Sequence, residues 1–185
     1  MQTLMKRGDI PHEYTWDLES IFPGDGDWED SYKTLQQRLP EVEALKGTLA
    51  QSGEALLEVL QKRDELFEQL ESLFVYASMR KDEDTTNSKY QGMYDRAMQL
   101  VVYASTLASY IEPEILALPE TTLDRFVRET PGLDLYRQQL HDLNRKRPYV
   151  RSAEVEAVLA AAEEIAGVPD TVFSMIENAD LKLPV

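Results

Sequence analysis

Apolar residues recur along most of the chain at steps of three and four, the spacing that gathers them on one side of an α-helix. The first such stretch runs from about Trp28 to Leu45, after a turn and helix cap at Asp25-Gly26-Asp27. Pro40 lies inside it, and proline lacks the N–H that an inner helical turn requires. The pattern therefore predicts a helix that is kinked or split at Pro40 and ended by Lys46-Gly47.

A second and longer helix is predicted from Ser52, a favourable N-cap residue, to about Lys81. Its apolar positions are spaced so that they share one side of the helix, and that side is expected to face a partner. These positions are Leu56, Leu60, Phe67, Leu70, Phe74 and Ala77.

The polar segment 81–88 separates this helix from a third one, for which Asn87 or Thr86 is the expected N-cap. The third helix should extend to about Leu116, and Pro113 leaves its last turn open. Its apolar positions form a heptad seam of Met93, Ala97, Leu100, Ala104, Leu107 and Ile111. Two long helices with matching seams and a short link predict an antiparallel hairpin on the order of 40 Å long.

Shorter helices are predicted in the rest of the chain. One opens at Leu118-Pro119-Glu120 and is broken by Thr130-Pro131-Gly132, and another covers about 135–147. Two more are expected at about 152–167 and 170–177. Strand periodicity is almost absent, so the predicted fold class is all-α, with a long antiparallel helical hairpin and shorter packed helices.

The two ends of the chain follow neither pattern. Residues 10–23 include Tyr14, Trp16, Ile21 and Phe22 without helical or strand spacing. Residues 1–26 are therefore interpreted as an irregular N-terminal arm and 27–185 as the helical domain. The last residues alternate between apolar and polar from Leu181 to Val185. This alternation fits the start of an extended segment that continues, and equally a natural tail.

The charge balance narrows the possible partners. Acidic residues outnumber basic ones by 34 to 19, which gives a formal charge of -15. Nucleic acids and anionic membrane surfaces both require the opposite sign, so neither is an expected partner. The chain has no cysteine, which excludes disulfides and thiol catalysis. No apolar run approaches about 20 residues and the N-terminus lacks a secretion signal, so a cytoplasmic location is predicted.

The histidine content argues against a metal site in this chain. A zinc peptidase helix carries H-E-x-x-H, because histidines one turn apart reach one metal while the glutamate activates water. The two histidines, His12 and His141, are far apart in the sequence. Asp82 and Asp84 imitate the first ligands of a calcium loop, but Asn87 and Met93 occupy positions that require Gly and Glu. A capped turn between helices is the better interpretation of that segment.

Several tyrosines could meet a ligand. Tyr103 and Tyr110 are seven residues apart just beside the seam of the third helix, and Tyr76 lies near the other end of the hairpin. A row of aromatic hydroxyls can bind peptide groups, whereas a tyrosine at the edge of a core keeps only its hydroxyl in water. Both interpretations stay open from the pattern alone.

Five ordered segments resemble oligoendopeptidase F, one of the thimet-oligopeptidase-like zinc metallopeptidases. They are I-P-H-E-Y-T-W-D-L-E-S-I-F-P at 10–23, W-E-D-S-Y-K at 28–33, Y-A-S-M-R-K-D-E-D-T-T-N at 76–87, E-P-E-I-L-A-L-P-E at 112–120 and F-S-M-I-E-N-A-D-L-K-L-P at 173–184. The resemblance covers nearly the whole chain, and none of the five segments is catalytic.

This resemblance implies the helical N-terminal part of a peptidase, similar to one wall of a channel that admits short peptides. It implies zinc and the H-E-x-x-H helix in a later, catalytic domain that is absent here, so no catalytic or metal-binding residue is assigned and the chain alone is expected to be inactive. The implied partners are that catalytic domain and short peptide substrates. Tyr76, Tyr103 and Tyr110 are the candidate channel-facing residues. A stand-alone acidic helical protein-interaction module is the alternative.

Overall fold

The computed structural model describes residues 10–149 together with Pro169, Val172 and Phe173. Every regular element within this part of the chain is helical, and the all-α prediction is confirmed. The α-helices are α1 (Asp25–Arg38), α2 (Pro40–Glu43), α3 (Gly53–Glu83), α4 (Ser88–Ala108), α5 (Ile111–Ala117), α6 (Glu120–Glu129) and α7 (Arg137–Lys146). Single 3₁₀ turns occur at His12–Tyr14, Leu18–Ser20, Leu133–Tyr136 and Arg147–Tyr149. The helix predicted at 152–167 lies outside the described residues, as does most of the one predicted at 170–177.

The long hairpin is the centre of the unit formed by residues up to Leu140. Helix α3 has 31 residues and α4 has 21, which correspond to lengths of about 46 Å and 32 Å. The six predicted seam positions of α4 and the following turn, from Met93 to Ile111, are all buried. Phe74 pairs with Tyr94, and Leu70 shares a groove with Val101 farther along α4, so the two helices run in opposite directions.

Both predicted helix caps are present. The Ser52 hydroxyl accepts a hydrogen bond from the Ala55 N–H at 3.2 Å, and the Asn87 side chain accepts one from the Lys89 N–H at 3.0 Å. In the link between the helices, the Asp84 carboxylate accepts from the Thr86 N–H and hydroxyl at 3.1 and 2.6 Å. The link is therefore a capped turn, which brings the two helices together without an inserted loop.

Two prolines set helix boundaries. Pro40 divides the first predicted helix into α1 and α2, and it occupies the first turn of α2, where its missing N–H costs nothing. The third predicted helix ends earlier than expected, at Ala108 rather than near Leu116. Pro113 has no N–H to donate to the Ser109 carbonyl four residues earlier, so the helix cannot run through that point and α5 starts at Ile111.

Helix α3 buries more than the predicted stripe. Val59, Leu66 and Leu73 repeat every seven residues and are fully buried, on the side of α3 that receives α1. Phe67 and Phe74 are predicted inside with the rest of the stripe, but both are only half-buried and line a groove. They are offset by one residue from Leu66 and Leu73, which turns them about 100° around the helix and out of the packed side.

One glycine permits a close contact at the start of α3. A Cβ built on Gly53 would lie 1.9 Å from the Thr130 hydroxyl, far inside contact distance. Thr130 is buried just after α6, which packs against α3. Gly53 therefore sets how closely α6 approaches the hairpin.

The N-terminal arm contacts α3 through a short segment. Leu18 is buried, and the Phe22 ring meets the edge of Tyr76 with 5.4 Å between ring centroids. Arg80 holds the same segment through its Nη2 atom, 2.6 Å from the Glu19 carboxylate. The predicted division at residues 26 and 27 stays a prediction.

Candidate functional site

Tyr76 lies inside the fold with its hydroxyl engaged by α1. The residue is fully buried, and its hydroxyl donates to Asp25 Oδ1 at 2.9 Å. The Arg80 guanidinium lies 5.1 Å from the ring centroid, and Lys89 pairs with the other Asp25 oxygen. Burial raises the pKa of Tyr76 above its ordinary value, and the Asp25 carboxylate adds to this. Tyr76 thus joins one end of the hairpin to the N-terminal arm and to α1.

Tyr110 performs a similar task at the other end of the hairpin. It is 7% exposed, and its hydroxyl donates to the Val42 carbonyl of α2 at 2.6 Å. Burial, followed by the charges of Glu114 and Glu43, raises the pKa of Tyr110 to about 12. Its hydroxyl therefore stays protonated and keeps donating to α2 over the whole physiological range.

Tyr103 is the exposed member of the three predicted residues. Its exposure is 41%, and it lies seven residues, about two helical turns, before Tyr110, which follows the end of α4. Tyr76 and Tyr110 contact α1 and α2, and their hydroxyls are used within the fold. Tyr103 lies on the same side, because it follows Arg96 by seven residues and Arg96 bonds Glu29 of α1. A channel-facing role stays a prediction for all three, and Tyr103 offers the accessible ring.

We call this side of the hairpin the inner side; it is the face covered by α1 and α2. Trp28 is its largest buried residue, and the indole N–H donates to the Leu73 carbonyl of α3 at 2.8 Å. Arg96 of α4 pairs with Glu29 of α1 through two hydrogen bonds, one of them at 2.9 Å. Aromatic and charged contacts therefore join α1 to both helices of the hairpin, and none of them was predicted from the sequence.

The opposite side of the hairpin carries an open groove of about 460 Å³. We call it the outer groove. Its apolar lining comes from both helices, and three acidic residues of α3 stand on its rim. The lining residues are Phe67, Leu70, Phe74 and Val101, and the rim residues are Asp64, Glu68 and Glu71.

The apolar surface continues along α4 beyond the groove. Tyr94, Met98 and Val101 follow one another at steps of four and three, which places them on one face of the helix. Met98 is 37% exposed and Val102 is 62% exposed. The sequence analysis missed this surface because it assigned α4 a single seam; the spacing of Tyr94, Met98 and Val101 was the available signal.

The acidic groups of the rim differ in their partners. Asp64 is occupied: its two carboxylate oxygens accept from Arg63 at 2.6 Å and from the Tyr136 hydroxyl at 2.7 Å. For Glu68 and Glu71, no cationic partner occurs among residues 10–149. The groove therefore combines an apolar floor with two carboxylates that are not neutralised by the described part of the chain.

The described residues do not fit the zinc site that the resemblance implies for the complete enzyme. Among them, no three His, Asp or Glu side chains are gathered closely enough to hold a metal ion. His141 is exposed, and its Nδ1 lies 3.7 Å from Asp142. No helix in this part of the chain is long and apolar enough to cross a bilayer.

Comparison with known proteins relates the chain to one group of enzymes. A family model described as Oligopeptidase F matches residues 114–182. Over 181 residues, 98% of its length, the chain is 39% identical to Oligopeptidase PepF of Bacillus subtilis. Over 179 residues, 97% of its length, it is 36% identical to Group B oligopeptidase PepB of Streptococcus agalactiae. The chain spans only 27% and 30% of these two relatives.

Solved structures give the same relationship. The chain is similar to oligoendopeptidase-F from Enterococcus faecium with a TM-score of 0.68 and 35% identity, over 87% of this chain and 32% of that one. A putative peptidase from Chlamydophila abortus shares the fold with a TM-score of 0.77 at 22% identity, over 98% of this chain and 31% of that one.

Proposed function

The chain corresponds to the N-terminal region of the oligoendopeptidase F family, and from this premise we propose that it forms the helical part of a substrate channel in a zinc metalloendopeptidase that hydrolyses short oligopeptides. The observation that carries the proposal is the 39% identity to an oligopeptidase over 98% of the chain. Its partners are then the catalytic part of the enzyme and short peptides. The absence of cysteine is compatible with a cytoplasmic enzyme, which is the location we propose.

The reaction itself belongs to residues outside this chain. Zinc bound by a peptidase polarises the scissile carbonyl and activates a water molecule. The chain has only two histidines and no H-E-x-x-H, and its described residues offer no ligand cluster. We therefore derive no catalytic step from it and propose that it is inactive alone.

A chimaera tests this function directly. This chain would replace the matching region of the Bacillus subtilis relative, and cleavage of a short internally quenched peptide would be measured with and without a zinc chelator. We expect chelator-sensitive cleavage by the chimaera and by the intact relative, and none by the chain alone with added zinc. Chelator-sensitive cleavage by the chain alone, or a folded, zinc-loaded chimaera without activity, would contradict the proposal.

The channel role is tested at Tyr103. Because a phenol on a wall contributes by stacking and by its hydroxyl, Tyr103→Ala in the chimaera should raise KM for the peptide several-fold while kcat changes little. Tyr103→Phe should keep most of the affinity if the ring supplies the contact. Thr121→Ala, at an exposed residue of α6 outside the apolar surface of α4, is the matched control. Unchanged KM in Tyr103→Ala would remove Tyr103 from the channel.

The stand-alone interaction module is supported by one observation, the apolar surface that runs from the outer groove along α4. The same surface is expected of a region that packs against the rest of a larger enzyme. The chimaera separates the two functions, because an independent module has no reason to restore activity to a peptidase.

A further inference from the structure

We propose that the outer groove is the docking site for an amphipathic helix from the catalytic part of the enzyme, a helix whose apolar stripe is flanked by Lys or Arg. The proposal rests on the proposed function for the source of this helix. The lining, the walls and the rim of the groove define the chemistry of the occupant.

The lining of the outer groove favours an apolar occupant. Phe67 and Phe74 present half-buried rings seven residues apart, and Val101 and Met98 extend the same surface across α4. Phe74 already packs beside Tyr94, with 5.7 Å between the ring centroids. A contiguous apolar surface of this kind marks a contact site.

The walls of the groove favour a helix over an extended peptide. Both walls are α-helices, whose inner backbone N–H and C=O groups are already paired within each helix. An extended peptide laid between them would find few backbone partners, and each unpaired group buried there is costly. A helix satisfies its own backbone and needs only side-chain packing, so the groove between α3 and α4 is suited to a third helix.

The rim specifies the charge of that helix. Glu68 and Glu71 are one helical turn apart on α3, and neither has a cationic partner in the described part of the chain. A neutral or acidic partner would take these carboxylates out of water without compensation. Lys or Arg on the flank of the incoming helix would instead pair with them, so charge complementarity selects a basic amphipathic helix.

The chemistry is tested with two synthetic helical peptides of about 18 residues that share one Leu/Phe stripe and carry either Lys or Glu on its flanks. Binding to this chain would be followed by the NMR shifts of side-chain methyl groups. We expect the Lys peptide to bind about fivefold more tightly than the Glu peptide at low salt, with shifts centred on Met98 and Val101. The preference should shrink in about 0.5 M salt because the carboxylates are exposed.

Two variants make this test specific. The double variant Glu68→Gln and Glu71→Gln should lose the preference for the Lys peptide. The matched control, Glu58→Gln with Asp124→Asn, removes two exposed carboxylates outside the groove and should keep it. Equal binding of the two peptides, or shifts away from the groove, would overturn the proposal.

The source of the helix is tested in the chimaera. Charge reversal by Glu68→Lys and Glu71→Lys, or Phe74→Asp, should lower the unfolding temperature of the chimaera more than that of the isolated chain. Equal shifts in the two proteins would overturn docking within the enzyme while leaving peptidase activity, and so the proposed function, intact. A concentration-dependent dimer of this chain that Phe74→Asp abolishes would assign the groove to a second copy instead and would also overturn it.

Discussion

Both sides of the α3–α4 hairpin carry aromatic residues, but the two sides use them differently. On the inner side, the polar atoms of Trp28, Tyr76 and Tyr110 are all hydrogen-bonded to groups on the neighbouring segment, at 2.6 to 2.9 Å. In the outer groove, Phe67 and Phe74 have no polar atoms to satisfy and remain half-buried. They lie beside two carboxylates that have no cationic partner in the described part of the chain.

This difference separates residues that hold the fold together from residues that are available for contact. A buried aromatic ring with a satisfied hydrogen bond fixes one arrangement of its neighbours. A half-buried ring beside an unneutralised charge contributes less to folding and keeps part of its surface available for binding. Stability measurements on matched variants of the two sides test this distinction.

The largest effect is expected from Trp28→Ala on the inner side. The variant removes a fully buried indole and leaves a cavity between α1 and α3, so the free energy of unfolding should fall by about 3–5 kcal/mol. Phe74→Ala in the outer groove deletes a half-buried ring and should cost about 2 kcal/mol. Urea unfolding followed by circular dichroism measures both. Equal losses would show that the two sides contribute alike to stability.

A smaller effect is expected from hydroxyl groups alone. Tyr110→Phe removes the donor to the buried Val42 carbonyl and should cost about 1–2 kcal/mol of unfolding free energy. Tyr103→Phe removes an exposed hydroxyl and should change stability by less than about 0.5 kcal/mol. Urea unfolding of the two variants measures both changes in the free energy of unfolding. A loss at Tyr103 as large as that at Tyr110 would contradict the assignment of Tyr110 as the structural member of the pair.

Periodicity in the sequence was sufficient to predict the hairpin. The heptad positions from Met93 to Ile111, the caps Ser52 and Asn87 and the split at Pro40 are confirmed, because each depends on residues close together in the chain. The bond from Trp28 to the Leu73 carbonyl joins residues 45 positions apart and has no local signature.

The candidate site was harder to predict for a related reason. A repeat of seven places residues on one side of a helix but does not say which neighbour covers that side. The spacing therefore groups Phe67 and Phe74 with the buried stripe and leaves Tyr76 and Tyr110 open to ligand contact. In the structure, the two tyrosine hydroxyls bond Asp25 and Val42. Burial depends on the third element that packs against the hairpin, here α1 with α2.

The charged contacts of the inner side should appear in the pH dependence of stability. The hydrogen bond from Arg96 lowers the pKa of Glu29, and for Asp25 burial works in the opposite direction but is outweighed by the hydrogen bonds from Lys89 and Tyr76. Both carboxyl groups thus bind fewer protons in the folded state than in the unfolded state. Their contribution to the free energy of unfolding is complete above the ordinary carboxyl pKa of about 4, and it is lost as the pH falls through the lowered pKa values.

The variant Glu29→Gln should therefore flatten the fall in stability between about pH 5 and pH 2, by less than about 1 kcal/mol because the Glu29–Arg96 pair is partly exposed. Unfolding midpoints in urea across that pH range provide the measurement. Arg96→Gln should flatten the curve as much, and the double variant no further. Full additivity of the two substitutions would mean that the pair does not act as a unit.

The smallest effect on stability is expected at the rim of the outer groove, and its sign should be opposite. Glu68 and Glu71 lie three residues apart on α3, where like charges repel, and the chain carries a net charge of -15. Glu71→Gln should therefore leave the unfolding free energy unchanged or raise it by up to about 0.5 kcal/mol, with the gain shrinking in salt. Thermal unfolding at low and high salt measures this change. A loss of more than about 1 kcal/mol would mean that Glu71 supports the fold itself, and the contrast between the two sides of the hairpin would then no longer hold at the rim.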